Sequence, residues 1–197
     1  MNKKKAIVAL SLAFALLIAG TFVVQQVTGE SPKPLDALGR ILMGLIPLLL
    51  LLAKRIPFSV PLIVSYYLLL TAAFFLGAML RLYDRLPWWD MALHFFGSAF
   101  TAFLAISLYR FFIPKEVEKD LTSWLLFLFV FSLAVAASAL WESLEFLGTV
   151  MGALEGDSNK DTITDMLWGM AGAFAVSVYA VLRKRRNDEE ARYREKG

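Results

Sequence analysis

The chain has no cysteine, and only one of its 197 residues is a histidine. The first absence excludes a disulfide framework, a thiolate nucleophile and a Cys-ligated zinc. Charge is scarce too, at 19% against roughly 25% in soluble proteins, while hydrophobic residues reach 58% against roughly 45–50%. No Gly-rich phosphate-cradling loop, H-E-x-x-H, G-x-S-x-G or S-x-x-K pattern occurs, which argues against nucleotide-driven transport and serine hydrolysis. What fills the chain instead is apolar: 16 Phe and a mean hydropathy of +0.62. That composition excludes a soluble globular domain, a disordered chain and a coiled coil, and predicts a polytopic membrane protein.

Six apolar segments, at about 6–28, 35–53, 58–80, 88–109, 122–144 and 162–182, are each about long enough to cross a hydrocarbon layer of roughly 30 Å at about 1.5 Å per helical residue. They predict an all-α fold, a helical bundle of six transmembrane helices in one domain over residues 1–197, with a charged tail at 183–197. The second segment has the shortest uninterrupted apolar stretch, and a re-entrant hairpin is the alternative there. Pro47 is tolerable inside a membrane helix, while Pro57 and Pro61 mark the boundary and first turn of the third segment. The first segment is read as a retained span rather than a cleaved signal peptide. Its apolar run outlasts the roughly 7–15 residues of a signal-peptide core, and no small-x-small site immediately precedes Gln25.

Lys and Arg set the orientation. With the N-terminus inside, fifteen of the twenty basic residues fall on the cytoplasmic side and five outside, an asymmetry repeated in every loop pair. Acidic residues run the other way, ten outside and seven inside. Both termini are therefore expected inside, in a multi-pass protein of the cell (cytoplasmic) membrane. This distribution explains a pI near 9.2 without a nucleic-acid partner. The Arg183-Lys184-Arg185-Arg186 run reads as a stop-transfer anchor facing anionic membrane lipids, and the tail beyond it as a frayed or solvated helix without chemistry.

Polar residues in or beside the last three segments all fall at the outer face. Asp90 and His94 open the fourth, Glu142 and Glu145 close the fifth, and Asp161 and Asp165 open the sixth. Asp90 and His94 are spaced i, i+4, and Ser138, Glu142 and Glu145 are spaced i, i+4, i+7, so each helix carries one polar stripe. Gly169 and Gly172 leave the sixth bare enough for close approach. Ionisable groups at membrane depth are costly and normally face one another or a wet cavity. Five carboxylates and one imidazole need compensation by arginines, shared protons or a metal ion, for which His nitrogen and carboxylate oxygen are suitable ligands. Asp90, His94, Glu142, Glu145, Asp161 and Asp165 are the candidate metal ligands, and His94, Glu142 and Glu145 the candidate catalytic residues. Arg40 and Arg81 are candidates for substrate binding. The plainer readings are dipole complementation by Asp90, helix capping by Asp161 and Asp165, and a local ion pair between Asp36 and Arg40. Trp88, Trp89 and Tyr83 read as interfacial aromatics.

These motifs carry a resemblance. Tyr83-Asp84, Asp90-x-x-x-His94-Phe95-Phe96-Gly97, Trp141-Glu142-x-x-Glu145 and Gly156-Asp157-x-x-x-Asp161-x-x-x-Asp165, with Gly169 and Gly172, resemble the YjdF-type bacterial inner membrane protein family across about residues 83–179. They are more distantly similar to the VanZ-like proteins. The resemblance implies one shared site for the six ionisable residues and supplies no particular reaction.

Three functions follow. The first is a metal-dependent hydrolase or transferase acting on a lipid headgroup or lipid-linked substrate, with a divalent metal as cofactor. The second is a cation-binding or transport protein using the same cluster. A conduction path should continue through polar groups, and the cytoplasmic halves of the segments offer only scattered Ser, Thr and Tyr. The third is a structural or partner-binding membrane protein in which the cluster ties helices together.

Overall fold

The structure, a computed structural model, describes residues 2–29, 34–118, 120–152 and 158–196. Glu30, Lys33, Lys119, Glu155, Gly156 and Asp157, which entered the charge pattern or the motifs above, lie outside the described residues. Every regular element among the described residues is helical. α1 is Lys3–Val27; α2 is Pro34–Leu45 and runs on as a 3-10 helix, Ile46–Leu52; α3 is Val60–Leu70 and runs on as a π-helix, Thr71–Met79. The single turn α4 (Leu82–Arg85) leads into α5 (Trp89–Phe112), the single turn α6 (Lys115–Glu118) into α7 (Ser123–Val150), and α8 is Asn159–Lys196. Among the described residues, six helices are long and apolar enough to cross a membrane, so the protein is an all-helical membrane bundle.

Short polar side chains start several helices. The N–H of Lys4 donates to Asn2, that of Leu62 to Ser59 and that of Leu125 to Thr122. Each bond satisfies a donor that the first helical turn leaves without an internal partner.

The second segment is continuous over Pro34–Leu52 rather than a hairpin, and Pro47 explains its form. Proline has no N–H to return to Met43, so the ladder tightens to i, i+3 bonds from Ile46 onward. Twelve α-helical residues at about 1.5 Å and seven 3-10 residues at about 2.0 Å reach about 32 Å, enough to span despite the short apolar run. The change of ladder frees two carbonyls in an apolar setting, and α3 covers both. Tyr66 donates its hydroxyl to the Met43 carbonyl at 2.7 Å, and Tyr67 donates to Gly44 at 3.2 Å. The Tyr67 hydroxyl also shares a 2.6 Å hydrogen bond with buried Ser11 of α1, so one tyrosine joins three helices.

Two packed halves result. Ile7, Phe14, Ile18, Ile63, Tyr67 and Leu70 form the core of the α1–α3 half. The other core lies among α5, α7 and α8 and is built largely of small residues, including Ala102, Ala105, Ala134, Ala173 and Ala180. Small side chains let membrane helices approach closely, where dispersion contacts replace the hydrophobic driving force. α5 and the end of α3 join the halves, for instance through the rings of Tyr66 and Phe100 at 6.0 Å.

Two boundaries differ from the sequence reading. α7 continues to Val150, so Glu142 and Glu145 lie one to two turns inside the helix instead of closing it. α8 continues through the basic run to Lys196, and Lys184 is not a free anchor. It is buried, donating to the Glu118 carbonyl at 3.1 Å and pairing with Asp188 at 3.4 Å.

Candidate functional site

Close approach of α8 to α5 builds the site. A Cβ on Gly172 would stand 2.0 Å from the Phe95 carbonyl oxygen, and one on Gly169 would stand 2.4 Å from the Ser138 hydroxyl and 2.9 Å from that of Ser98. Only glycine permits this contact, and it lays Asp165, one turn before Gly169, beside His94 of α5. Asp90 lies one turn before His94 on the same helix, while Glu142 and Glu145 come from α7.

The imidazole is the centre of the arrangement. His94 Nδ1 lies 3.3 Å from a Glu142 oxygen, while Nε2 lies 3.5 Å from Asp90 and 4.0 Å from Asp165. Two groups of ligand atoms result, one from Asp90, His94 and Asp165 and one from His94, Glu142 and Glu145, each with its atoms within 4.8 Å of one another. The side chains of His94, Glu142 and Asp165 are about nine-tenths buried, while that of Asp90 is half-exposed. Burial at this depth, with oxygen and nitrogen donors from three helices, is a donor set that suits a divalent ion of the zinc or manganese kind.

The structure therefore brings together Asp90, His94, Glu142, Glu145 and Asp165, and leaves out three other candidates. Asp161 is exposed at the start of α8, where its carboxylate accepts from the Ser158 hydroxyl at 2.7 Å and its own N–H donates back to that hydroxyl. Arg40 is engaged by Asp36 through Nε at 2.8 Å, donates to the Phe74 carbonyl and lies over the Phe74 ring. Arg81 is exposed and paired with Asp84 at 2.9 Å. Each arginine is paired with a carboxylate within four residues on its own element.

A cavity of about 230 Å³ adjoins the cluster, reaching Asp90, His94 and Glu145 at its polar end. Its walls are mostly apolar, from Leu69, Leu70 and Ala73 of α3 and its π-extension, Leu93 and Phe100 of α5, and Ala137 of α7. α3 and α7 flank α5 and hardly touch each other, so the cavity is a cleft with α5 as its floor.

Sequence reasoning missed two members of this region. Tyr83 lines the cleft, and both its ring and the Trp89 indole are packed where a side chain on Gly77 would collide. The Trp89 N–H is buried without a hydrogen-bond partner among the described residues. Trp88, by contrast, is exposed. The Tyr83 phenol is pushed above its ordinary value, first by desolvation and then by the negative charges of Asp90, Glu145 and Asp165, with Arg40 opposing. The same field would attract a cation. Nothing in the sequence announces that Gly77 is the platform for these rings, since its bareness matters only once the π-helix has turned it toward them.

Neither the curated proteins nor the solved structures include a match to this chain. A family model described as "Predicted membrane protein (DUF2238)" matches residues 6–186, which takes in all six long apolar helices and every residue of the cluster. The chain therefore belongs to the DUF2238 family of membrane proteins, with which the YjdF-type resemblance agrees.

Proposed function

We propose that the His94 cluster is a divalent-cation site of a membrane hydrolase or transferase, acting on a lipid headgroup or lipid-linked substrate. The observation that carries the reading is the single imidazole shared by two sets of carboxylates from three helices at the polar end of an apolar cleft. One imidazole nitrogen serves the metal, and a carboxylate on the other fixes the ring, as is usual for metal-bound histidine. Asp90 and Asp165 complete the ligand set on the Nε2 side. Glu142 orients the ring through Nδ1, and Glu145, which lines the cleft, is placed to act as general base. A bound divalent ion supplies Lewis-acid chemistry, activating water and polarising a phosphoryl or carbonyl oxygen.

The cleft between α3 and α7 suits a substrate with an apolar chain and a polar head, the chain lying along Leu69, Leu93 and Phe100 and the head at His94. The distribution of Lys and Arg supports placing the cluster at the extracytoplasmic face of the cell membrane, with both termini inside. Transport is less well supported. Away from the cluster the cleft offers hydroxyls such as that of Thr101, which is already spent on the Ser98 carbonyl, and no further charged group lines it among the described residues.

Elemental analysis of detergent-purified protein, beside His94→Ala and Glu142→Ala variants, tests the proposal. Stoichiometric metal in the parent, lost in both variants with melting retained, is expected. A folded, metal-free parent would overturn it. Variants that unfold while the parent holds no metal would mark the cluster as a helix-tying network.

A further inference from the structure

We propose that the opposite end of the bundle carries a second site, which binds a phosphate group. A cavity of about 390 Å³ lies there between the start of α3 at Ser59, the last turns of α5, and α8 from Tyr179 to Asp188. It is separate from the His94 cleft and does not depend on the function proposed for it.

Charge on its walls is unevenly matched. Lys184 is answered by Asp188. Arg110 and Arg183 also line the cavity, and neither has a carboxylate at ion-pair distance among the described residues; the side-chain bond of Arg183 goes to the Tyr179 oxygen at 3.3 Å. Among the described lining residues, Glu118 is the acidic side chain left to oppose them. The guanidinium fork fits phosphate oxygens two at a time, which an ammonium does not.

Tyr109 points to a ligand independently of the arginines. It lines the cavity, is 1% exposed, and its hydroxyl has no hydrogen-bond partner among the described residues. A buried hydroxyl without an acceptor is costly, and phosphate oxygen is an acceptor. Two neighbouring hydroxyls are already spent as donors. Ser65 donates to the Pro61 carbonyl and Ser107 to that of Phe103, each within its own helix. Tyr109 is thus a buried donor without an acceptor, beside two arginines that have no ion-pair partner among the described residues.

The phosphate is carried either by a phospholipid headgroup of the facing leaflet or by a free phosphate ester, and the test separates these sources. Full-length protein in phosphate-free maltoside micelles is incubated with phosphatidylglycerol, and bound lipid is counted by native mass spectrometry. A parallel series replaces the lipid with inorganic phosphate and follows thermal stabilisation. Wild type is expected to retain one phosphatidylglycerol, and an Arg110→Gln/Arg183→Gln double variant to bind it at least about tenfold more weakly. Tyr109→Phe should weaken retention severalfold, and Glu118→Gln should tighten it by removing the opposing charge. Stabilisation by inorganic phosphate that is lost in the same variants would identify the free ester as the source, whereas lipid retention without it would identify the headgroup. Equal retention by wild type and a double variant that melts normally would overturn the proposal. So would a Tyr109→Phe variant that melts higher than wild type and retains lipid equally, because the hydroxyl would then be simply orphaned.

Discussion

Replacing Gly172 by alanine probes the contact on which the site is built. The added Cβ would meet the Phe95 carbonyl oxygen at 2.0 Å, and ordinary van der Waals contact begins at 3.4 Å, so α8 and α5 must part by about 1.4 Å locally. The obstacle is backbone, which cannot rotate away as a side chain would. Overpacking of this kind costs about 1–3 kcal/mol, even though alanine is the better helix former by up to about 1 kcal/mol. Gly20→Ala, in α1 with nothing within 4 Å of the new atom, isolates that propensity and should raise stability by up to about 1 kcal/mol. Melting in maltoside micelles should therefore fall by roughly 2–10 °C for Gly172→Ala and hold or rise for Gly20→Ala. The same separation would pull Asp165 further from the imidazole, already 4.0 Å away, so metal affinity should fall by about ten- to a hundredfold. A Gly172→Ala variant that melts like wild type and keeps its metal would refute both the close approach and its role in assembling the cluster.

Three further substitutions separate site, cap and scaffold. Asp165→Asn should abolish metal retention, whereas Asp161→Asn should leave metal content unchanged and cost about 1 kcal/mol or less, as expected of a helix-start contact with Ser158; elemental analysis with thermal melts decides. Tyr66→Phe should destabilise by about 1–3 kcal/mol because it orphans the Met43 carbonyl, and combining it with Pro47→Ala, which supplies an N–H for that carbonyl, should recover about 1 kcal/mol in a double-mutant cycle. Tyr83 predicts an alkaline sensitivity. Its folded-state value lies above that of the unfolded chain, so the stability it contributes is complete below about pH 10 and is lost as pH rises toward the folded-state value. Melts between pH 8 and 11 should fall less steeply for Tyr83→Phe than for wild type.

The long apolar helices were legible because composition and length alone define a membrane span, and six such helices are present. What periodicity could not show was the form of the second segment. Its uninterrupted apolar stretch is the shortest of the six, and the 3-10 finish imposed by Pro47 lengthens it beyond a uniform 1.5 Å per residue. Arg40 and Arg81 have local partners for a related reason. Their charge suggested a distant anion, but Asp36 stands four residues before Arg40 and Asp84 three residues after Arg81, and a local partner costs less chain ordering than a remote one.

Asp161 shows where a helical stripe stops being informative. It lies i, i+4 from Asp165, so the two share a face of α8 and no periodicity argument separates them. Depth separates them. α8 starts at Asn159, which puts Asp161 in the exposed first turn, where the nearest unsatisfied donors are those of its own helix end. Asp165 lies one turn further in, just ahead of the glycines that let α8 touch α5, and there an imidazole on another helix comes within 4.0 Å of it. The same carboxylate chemistry serves as a cap in one turn and as a member of the cluster in the next. The boundary between the two roles is set by where the bare face of α8 begins, which is why Gly169 and Gly172, rather than the acids themselves, decide which aspartate faces His94.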